Sequence, residues 1–421
     1  MAVKGQSLQQ NNVIRTLTVT GGGFYALVTL ISVVIGFALY TWVKQLTSGL
    51  TVTGLNSSVY WGLYIVNFVF FIGLSAGGMV VAATVHALNL EKFRPVARIA
   101  EVLSIISLIL ATIAILFSMG RPDRLLHLFI FSRPGSPLMW DVIIIFSYLA
   151  LAITMLYFSL RADLVKLMEQ LPSRRGLYKF FCLGYMDLSR QAINRDKKIL
   201  IVLSIISIPT AVALSSVSAW ILGLVKATPG WHSALMAPLF VGSALASGVA
   251  MVIMVAALCR RFFKMDISSD TIYSLGKLLF LLTPVLGYLL FSEFITVVFA
   301  RELPLTATID QMIRGSYAPV FWFDLIAGLI VPFTILAITR FRSVTWIGVS
   351  AALIFLGVLA ERIYIVVVPQ MAKASLPYPM GNYSPTWVEI SMVLGIYALG
   401  TLAFIILVKL FPMIELASKK E

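Results

Sequence analysis

Apolar residues fall along this chain in blocks about as long as a bilayer-crossing helix, separated by shorter stretches rich in arginine, lysine, glycine and proline. We read ten blocks, at roughly 22–43, 60–88, 99–119, 138–160, 199–222, 233–259, 275–299, 320–339, 345–369 and 387–411. Each is long enough to cross a hydrocarbon layer as a helix. Buried helices of a soluble protein would require a polar outer layer, and the pattern contains none. The expected fold class is therefore an all-α polytopic membrane protein with about ten transmembrane helices. The polar start "MAVKGQSLQQNNVIRTLTVT" is long, and no small-residue cleavage site follows a short apolar core. The first block thus reads as a retained helix, not a signal peptide.

Composition agrees: the 421 residues are 60% hydrophobic and 12% charged, with a mean hydropathy of +0.96. The net charge of +14 changes the picture only through its placement. An even number of spans puts both termini on one side, and that side receives 22 of the 32 basic residues, including the run from Arg161 to Lys198. The positive-inside rule then predicts cytoplasmic termini in a multi-pass protein of the bacterial inner membrane. Nucleic-acid binding needs no invoking, because the bases flank membrane spans; membrane lipids are the expected surroundings. The two cysteines, Cys182 and Cys259, both fall on the terminus side, where they form no periplasmic disulfide. Two cysteines also cannot supply the four ligands of an ordinary iron–sulfur cluster. There is no phosphate-binding glycine loop followed by lysine and no zinc-ligand cluster, so no metal site is expected.

The second half echoes the first. "WGLYIVNFVFFIGLSAGGMVVAA" begins at Trp61 and "WHSALMAPLFVGSALASGVAMVI" at Trp231, aligning Trp61, Phe70, Ala76 and Gly78 with Trp231, Phe240, Ala246 and Gly248. "SPLMWDVIIIFS" (136–147) resembles "APVFWFDLIAGL" (318–329), matching Asp141 with Asp324 when one residue is inserted. A duplication divides the chain into 1–59 with a peripheral first helix, a four-helix bundle over 60–222, a second over 223–369, and 370–421 with a peripheral tenth helix and tail. Four crossings return the chain to its starting side, so these tandem bundles are parallel, not inverted. The small-residue stretch "FFIGLSAGG" reads as a close helix contact, mirrored by "VGSALASG" in the second copy.

Polar residues at membrane depth carry the candidate chemistry. Tyr60 and Trp61 suit an aromatic belt. Tyr64 and Asn67 lie in the outer half of segment 2, where Asn67 makes either an interhelical hydrogen bond or a ligand contact. The loop "MGRPDRLLHLFIFSRPGSPLMWD" (119–141) gathers Arg121, Asp123, Arg124, His127, Arg133 and Asp141. Pairing of Asp123 with an arginine and helix capping by Asp141 are structural readings of those charges. Taken together they suit a quinone head group, whose two-electron, two-proton chemistry requires hydrogen-bond donors, a proton carrier and an opening to lipid. His127, Asp123 and Asp141 are the candidate catalytic groups, and Asn67, Tyr64, Arg121, Asp123 and His127 the candidate quinone contacts. His86 and Glu101 near the inner ends of segments 2 and 3, with Glu293 and Glu361, are candidates for a proton path; buried structural pairing is the alternative for each. Serines of segment 5 can assist such a path or satisfy helix carbonyls. The chain has three histidines, His86, His127 and His232. A bis-histidine haem is poorly supported, with His127 and His232 the one pairing left open.

These residues resemble the polysulfide reductase and nitrite-reductase-associated quinol-interacting membrane subunits (NrfD/PsrC-like), on the strength of "YWGLYIVNFVFFIGLSAGG", "GRPDRLLHLF" and "SPLMWD" in order. The ten-helix form is similar to the branch found in alternative complex III and periplasmic quinone reductase complexes. The resemblance implies a subunit that exchanges electrons between menaquinone or another quinone and a periplasmic ferredoxin-like iron–sulfur partner. Multihaem cytochrome or molybdopterin-type subunits belong to some such complexes, and some members lack haem. It also implies a quinone pocket in the first bundle near the periplasmic face, at Asn67, Arg121, Asp123, His127 and Asp141. The second copy has "FSEFITVVFARELP" where "GRPDR" would fall, which puts an equivalent second pocket in doubt. Enzyme status of the isolated chain stays open; the resemblance implies the quinone-reactive subunit of a multisubunit oxidoreductase, with a secondary transporter and a passive membrane anchor as alternatives. The direction of quinone chemistry is not legible.

Overall fold

The computed structural model describes residues 14–18, 20–225, 227–338, 340, 343–371 and 381–416. Lys4, Arg342, Lys419 and Lys420, which contribute to the expected cytoplasmic charge, lie outside the described residues, as does the start of the chain before residue 14.

Among the described residues, ten helices are long and apolar enough to span a membrane. They are α1 (Gly22–Ser48), α2 (Leu63–Ala87), α3 (Arg94–Ser118), α4 (Pro137–Gln170), α5 (Arg190–Gly223), α6 (Met236–Phe262), α7 (Ser269–Ala300), α8 (Ala318–Ala337), α9 (Val344–Met371) and α10 (Trp387–Leu410). The all-α membrane architecture read from the sequence is thus what the chain adopts. The helix ends carry recognisable local signals. Pro95, Pro137 and Pro319 stand in the first turns of α3, α4 and α8, where a missing N–H costs nothing. Ser189 caps α5, its hydroxyl accepting from the Ala192 N–H at 3.2 Å, and Thr386 with Glu389 forms a reciprocal capping box on α10.

Two helices overrun their expected limits. α4 continues to Gln170 and α5 starts at Arg190, because hydropathy stops at charges that the fold buries as pairs. Arg161 is fully buried against Asp196, and Arg98 of α3 meets Asp163 at 2.7 Å.

Helix α2 is the hub: it packs on α3, α5, α6 and α9, and most of its length is buried. α4 packs on α3 and α5; α6 packs on α5, α7 and α9; and α8 packs on α7 and α9. α1 packs mainly on α10, which lies against α3 and α2. The outward faces of α1, α4, α5 and α7 expose Leu30, Phe37, Phe146, Ile205 and Phe291, apolar surface suited to lipid.

The sequence-matched helices α2 and α6 pack on each other. A Cβ at Gly77 would lie 1.9 Å from the Ala244 carbonyl oxygen, and one at Gly248 would lie 2.4 Å from the Gly77 carbonyl carbon. Only glycine permits that backbone approach, as expected of the small-residue stretch. At the other end of the same interface the matched tryptophans stack, with the rings of Trp61 and Trp231 5.3 Å apart. Beside the aromatic-belt role expected of them, Tyr60 and Trp61 join the helix pair: Trp61 lies against Trp231, and the Tyr60 hydroxyl meets that of Thr228 at 3.2 Å. A π-helical turn, Asp324–Ile330, interrupts α8 where Gly328 crosses Gly357 of α9.

Candidate functional site

The interior of the α2–α5 group carries a succession of polar groups. Near the 119–136 loop, Asp141 is buried in the first turn of α4 and accepts a hydrogen bond from Ser218 of α5 at 2.9 Å. Ser215, one turn along α5, is buried with a hydroxyl oxygen that meets no partner. Two turns down α4 the Tyr148 hydroxyl donates to the Ser75 carbonyl at 2.8 Å, and the Ser75 hydroxyl donates to the Ser104 carbonyl at 2.7 Å. One turn further along α3, Glu101 lies at 2.7 Å from His86 Nε2, with side-chain exposures of 0% and 7%. The other Glu101 oxygen, Oε2, meets no hydrogen-bond partner. A buried carboxylate with an open oxygen is a site for water or a transferable proton.

Beyond Glu101, Arg98 forms part of the floor of a cavity of about 370 Å³, whose walls include Glu91, Lys166, Asp196 and Lys197. This cavity belongs to the face where residues 16–17 approach residues 409–416. There Lys409 donates to the Thr16 carbonyl at 2.7 Å and Arg174 to the Leu17 carbonyl at 3.1 Å.

Tyr64 and Asn67, three residues apart on α2, point toward α1 and α10. The Tyr64 hydroxyl donates to Gln45 Oε1 at 2.7 Å, and Gln45 Nε2 donates to the Phe117 carbonyl at 2.7 Å. Asn67 donates to the Leu63 carbonyl at 2.8 Å and accepts from the Tyr397 hydroxyl at 3.0 Å. Asn67 thus makes the interhelical hydrogen bond that was one of its two expected roles.

The loop residues stand apart. Arg121 and Asp123 form a two-bond pair, 3.2 Å each, with side chains 66% and 60% exposed. The Arg121 hydrogen bond lowers the Asp123 carboxyl from its ordinary value, against an opposing effect of desolvation. His127 opens a short helix, His127–Ile130; it is exposed, and its ring edges onto Phe131. Among the described residues no hydrogen bond joins Arg121, Asp123 or His127 to Asp141, Asn67 or Tyr64. The structure therefore divides the expected constellation into a surface loop, the Asp141–Ser218 pair, and the Tyr64–Asn67 face.

The second half holds another buried group. Tyr364 of α9 donates to Asp324 Oδ2 at 2.8 Å. Next to it, Arg362 lies 3.8 Å from Glu361, bonds Ser243 of α6 and stacks over the Phe240 ring. Both Glu361 oxygens lack a hydrogen-bond donor. Glu293 accepts from Ser233 at 2.5 Å and shares a small cavity of about 50 Å³ with Tyr364. Among the described residues no cluster of three or more His, Cys, Asp or Glu is placed to hold a metal ion. His232 binds a backbone carbonyl, that of Val225.

Sequence reasoning missed Tyr148 and Ser104. Lone hydroxyls in an apolar block carry no signal until the helices they face are known. Asp141 at seven residues before Tyr148 was the available clue, since that spacing puts both on one helix face.

A sequence profile described as "Polysulphide reductase, NrfD" matches residues 51–374, which hold the eight spans α2–α9 whole. The chain is 30% identical to a putative dimethyl sulfoxide reductase membrane subunit of Halobacterium salinarum, covering 93% of this chain and 91% of that one. It is 26% identical to a selenate reductase subunit of Mesobacillus selenatarsenatis, over 92% and 93%. The Hdr-like menaquinol oxidoreductase integral membrane subunit of Archaeoglobus fulgidus is 24% identical, over 94% and 95%. With α2–α9, the 119–136 loop and the buried groups from Asp141 to His86 all inside the matched region, the chain belongs to the NrfD polysulphide reductase family of membrane subunits.

Proposed function

We propose that this chain is the quinone-reactive integral membrane subunit of a respiratory oxidoreductase complex, trading electrons with an iron–sulfur subunit docked at the 119–136 loop face. The observation that carries this reading is the polar succession from Asp141 through Tyr148 and Ser75 to Glu101 and His86, inside helices otherwise packed with apolar side chains. A passive anchor has no use for buried carboxylates with unsatisfied oxygens, which cost stability at membrane depth. The names of the relatives, which include a menaquinol oxidoreductase subunit and two reductase subunits, support the assignment. In this reading α2–α5 and α6–α9 are two tandem four-helix bundles with α1 and α10 outside them, and the basic terminus face is cytoplasmic.

The polar groups are of the types a quinone head group uses, set on two faces of α2. Asn67 and Tyr64 supply an amide and a phenol on one face of α2, and Asp141 supplies a carboxyl at the loop end of the bundle. When bound, menaquinone or a related quinone provides the two-electron, two-proton couple. Asn67 and Tyr64 face α1 and α10 across α2 from Asp141 and donate to Leu63 and Gln45, so they would reach a quinone carbonyl only by exchanging those bonds. Asp141 holds or accepts a proton at its carboxyl oxygen, with Ser218 fixing its rotamer. Tyr148, Ser75 and Ser104 then bridge toward Glu101, whose open Oε2 and His86 exchange protons with the Arg98 cavity. Exposed Arg121, Asp123 and His127 meet the partner, His127 and Asp123 being the proton carriers nearest that face. Glu293 and Glu361 belong to a second, separate set of titratable groups.

The test is Asp141→Asn, which keeps the Ser218 hydrogen bond and removes the carboxylate. Quinol-linked turnover in membranes should fall by about 100-fold, while turnover from an artificial donor to the soluble subunits and subunit stoichiometry stay unchanged. Full quinol-linked turnover in this variant would sink the proposal.

A further inference from the structure

A cavity of about 810 Å³ lies in the half of the molecule that holds Thr20, Phe263 and Lys409, between the α1–α10 pair and α6. Its volume is that of a ligand site, roughly 300–1,000 Å³. Its walls are apolar, with Phe71, Leu110, Met254, Phe355 and Phe404 contributed by five different helices, and no Asp or Glu among its lining residues. Leu27, Leu258 and Thr401 on its rim are exposed, so it opens sideways toward lipid. An apolar hollow beside a bilayer is filled, because a gap forfeits dispersion contacts on every wall.

Two features say what fills it. The first is depth. The cavity runs along α10 from Tyr397 to Lys409, an interval of about 18 Å at the helical rise, against about 15 Å for one leaflet of a ~30 Å hydrocarbon layer. Its inner end is closed where the Tyr397 ring lies 5.1 Å from that of Phe71. The second is charge. Lys409 stands at its outer end, its ammonium over the rings of Phe24 and Phe263 and bonded to the Thr16 carbonyl. Arg174 reaches the same place, donating to the Lys409 carbonyl at 2.7 Å. Both cations are held by backbone carbonyls at the end of α10, on the face that carries the basic loops. Such a face draws anionic headgroups.

We infer that this cavity binds one anionic glycerophospholipid of the terminus-side leaflet, acyl chains along α10 and phosphate at Lys409 and Arg174. The lipid joins the α1–α10 pair to α6, elements with little direct packing along this seam. A quinone tail matches the apolar walls but makes no use of the two cations, and the hydroxyls near the inner end are already turned elsewhere, Tyr397 to Asn67 and Ser107 to the Met251 sulfur at 3.9 Å.

The experiment strips the purified complex by detergent exchange and retitrates it with dioleoyl phosphatidylglycerol in mixed micelles. Bound lipid is counted by native mass spectrometry, with dioleoyl phosphatidylcholine and menaquinone as parallel arms. Phosphatidylglycerol should bind in preference to phosphatidylcholine, and K409Q should weaken it about fivefold, the factor given by ~1 kcal/mol per basic residue at a membrane surface. T401F, which fills the groove without touching charge, should abolish the bound lipid and decides the matter if K409Q does not assemble. Equal binding of the two phospholipids, retention in T401F, or displacement of phosphatidylglycerol by menaquinone would overturn the inference.

Discussion

His86 on α2 and Glu101 on α3 meet at 2.7 Å in the interior, and the second Glu101 oxygen touches no donor. A structural ion pair at this depth would be expected to satisfy both oxygens, since each unpaired one carries a desolvation cost. Glu101→Gln preserves size and a hydrogen bond to His86 but removes the proton acceptor. Quinol-linked turnover of membranes should fall by about 100-fold with the complex still assembled. His86→Gln should give a smaller fall, as Glu101 would remain. Normal turnover in E101Q assigns the pair to structure alone.

The spans were legible because a bilayer imposes one rule on every one of them: about twenty apolar residues with the backbone satisfied inside the helix. The overruns of α4 and α5 were not, because Arg161, Asp163 and Asp196 read as surface charge until their partners are seen. Asn67, His86, Glu101 and Asp141 stood out as polar residues in apolar blocks. Their division between two faces of α2 did not, since it depends on where α10 and α3 pack. The placement of the loop charges was not legible either: density of charge in sequence implies nearness in space only when the segment folds inward, and Arg121, Asp123 and His127 are exposed.

Gly77 is the tightest point of the α2–α6 crossing, with a Cβ placed 1.9 Å from the Ala244 carbonyl oxygen. Gly77→Ala must separate the two backbones, at a cost of about 1–3 kcal/mol typical of overpacking. Gly36→Ala, where an added Cβ meets nothing within 4 Å, is the control. Thermal unfolding of the detergent-solubilised complex should show a lower midpoint for G77A and an unchanged one for G36A. Equal midpoints would contradict the crossing.

Arg121 lowers the pKa of Asp123 by a direct hydrogen bond. A group whose folded value is lowered contributes above its unfolded value and loses that contribution as pH falls through the folded one. If the charged pair faces the iron–sulfur partner, docking should weaken on the acid side, below the ordinary carboxylate range. In Arg121→Gln the carboxyl returns toward its ordinary value, so the acid limb should move to higher pH. Co-purification of the soluble subunits over a pH series reads this out. An acid limb that stays in place in R121Q removes Asp123 from the docking face.

Arg362 and Glu361 form the most deeply buried charged pair of the second half, with exposures of 1% and 2%. Their 3.8 Å separation and the unpartnered Glu361 oxygens describe a pair held by packing on α6, through Ser243 and Phe240, more than by its own hydrogen bonds. Removing one member leaves an uncompensated charge, so Arg362→Met should destabilise by about 3–5 kcal/mol, whereas the double change to apolar side chains should recover most of that loss. Assembly yield and the unfolding midpoint measure the two arms. Turnover separates the remaining roles: a stable Glu361→Leu, Arg362→Met variant with full quinol-linked activity confines the pair to scaffolding. Loss of activity in that stable variant, with artificial-donor turnover intact, places Glu361 on a proton route.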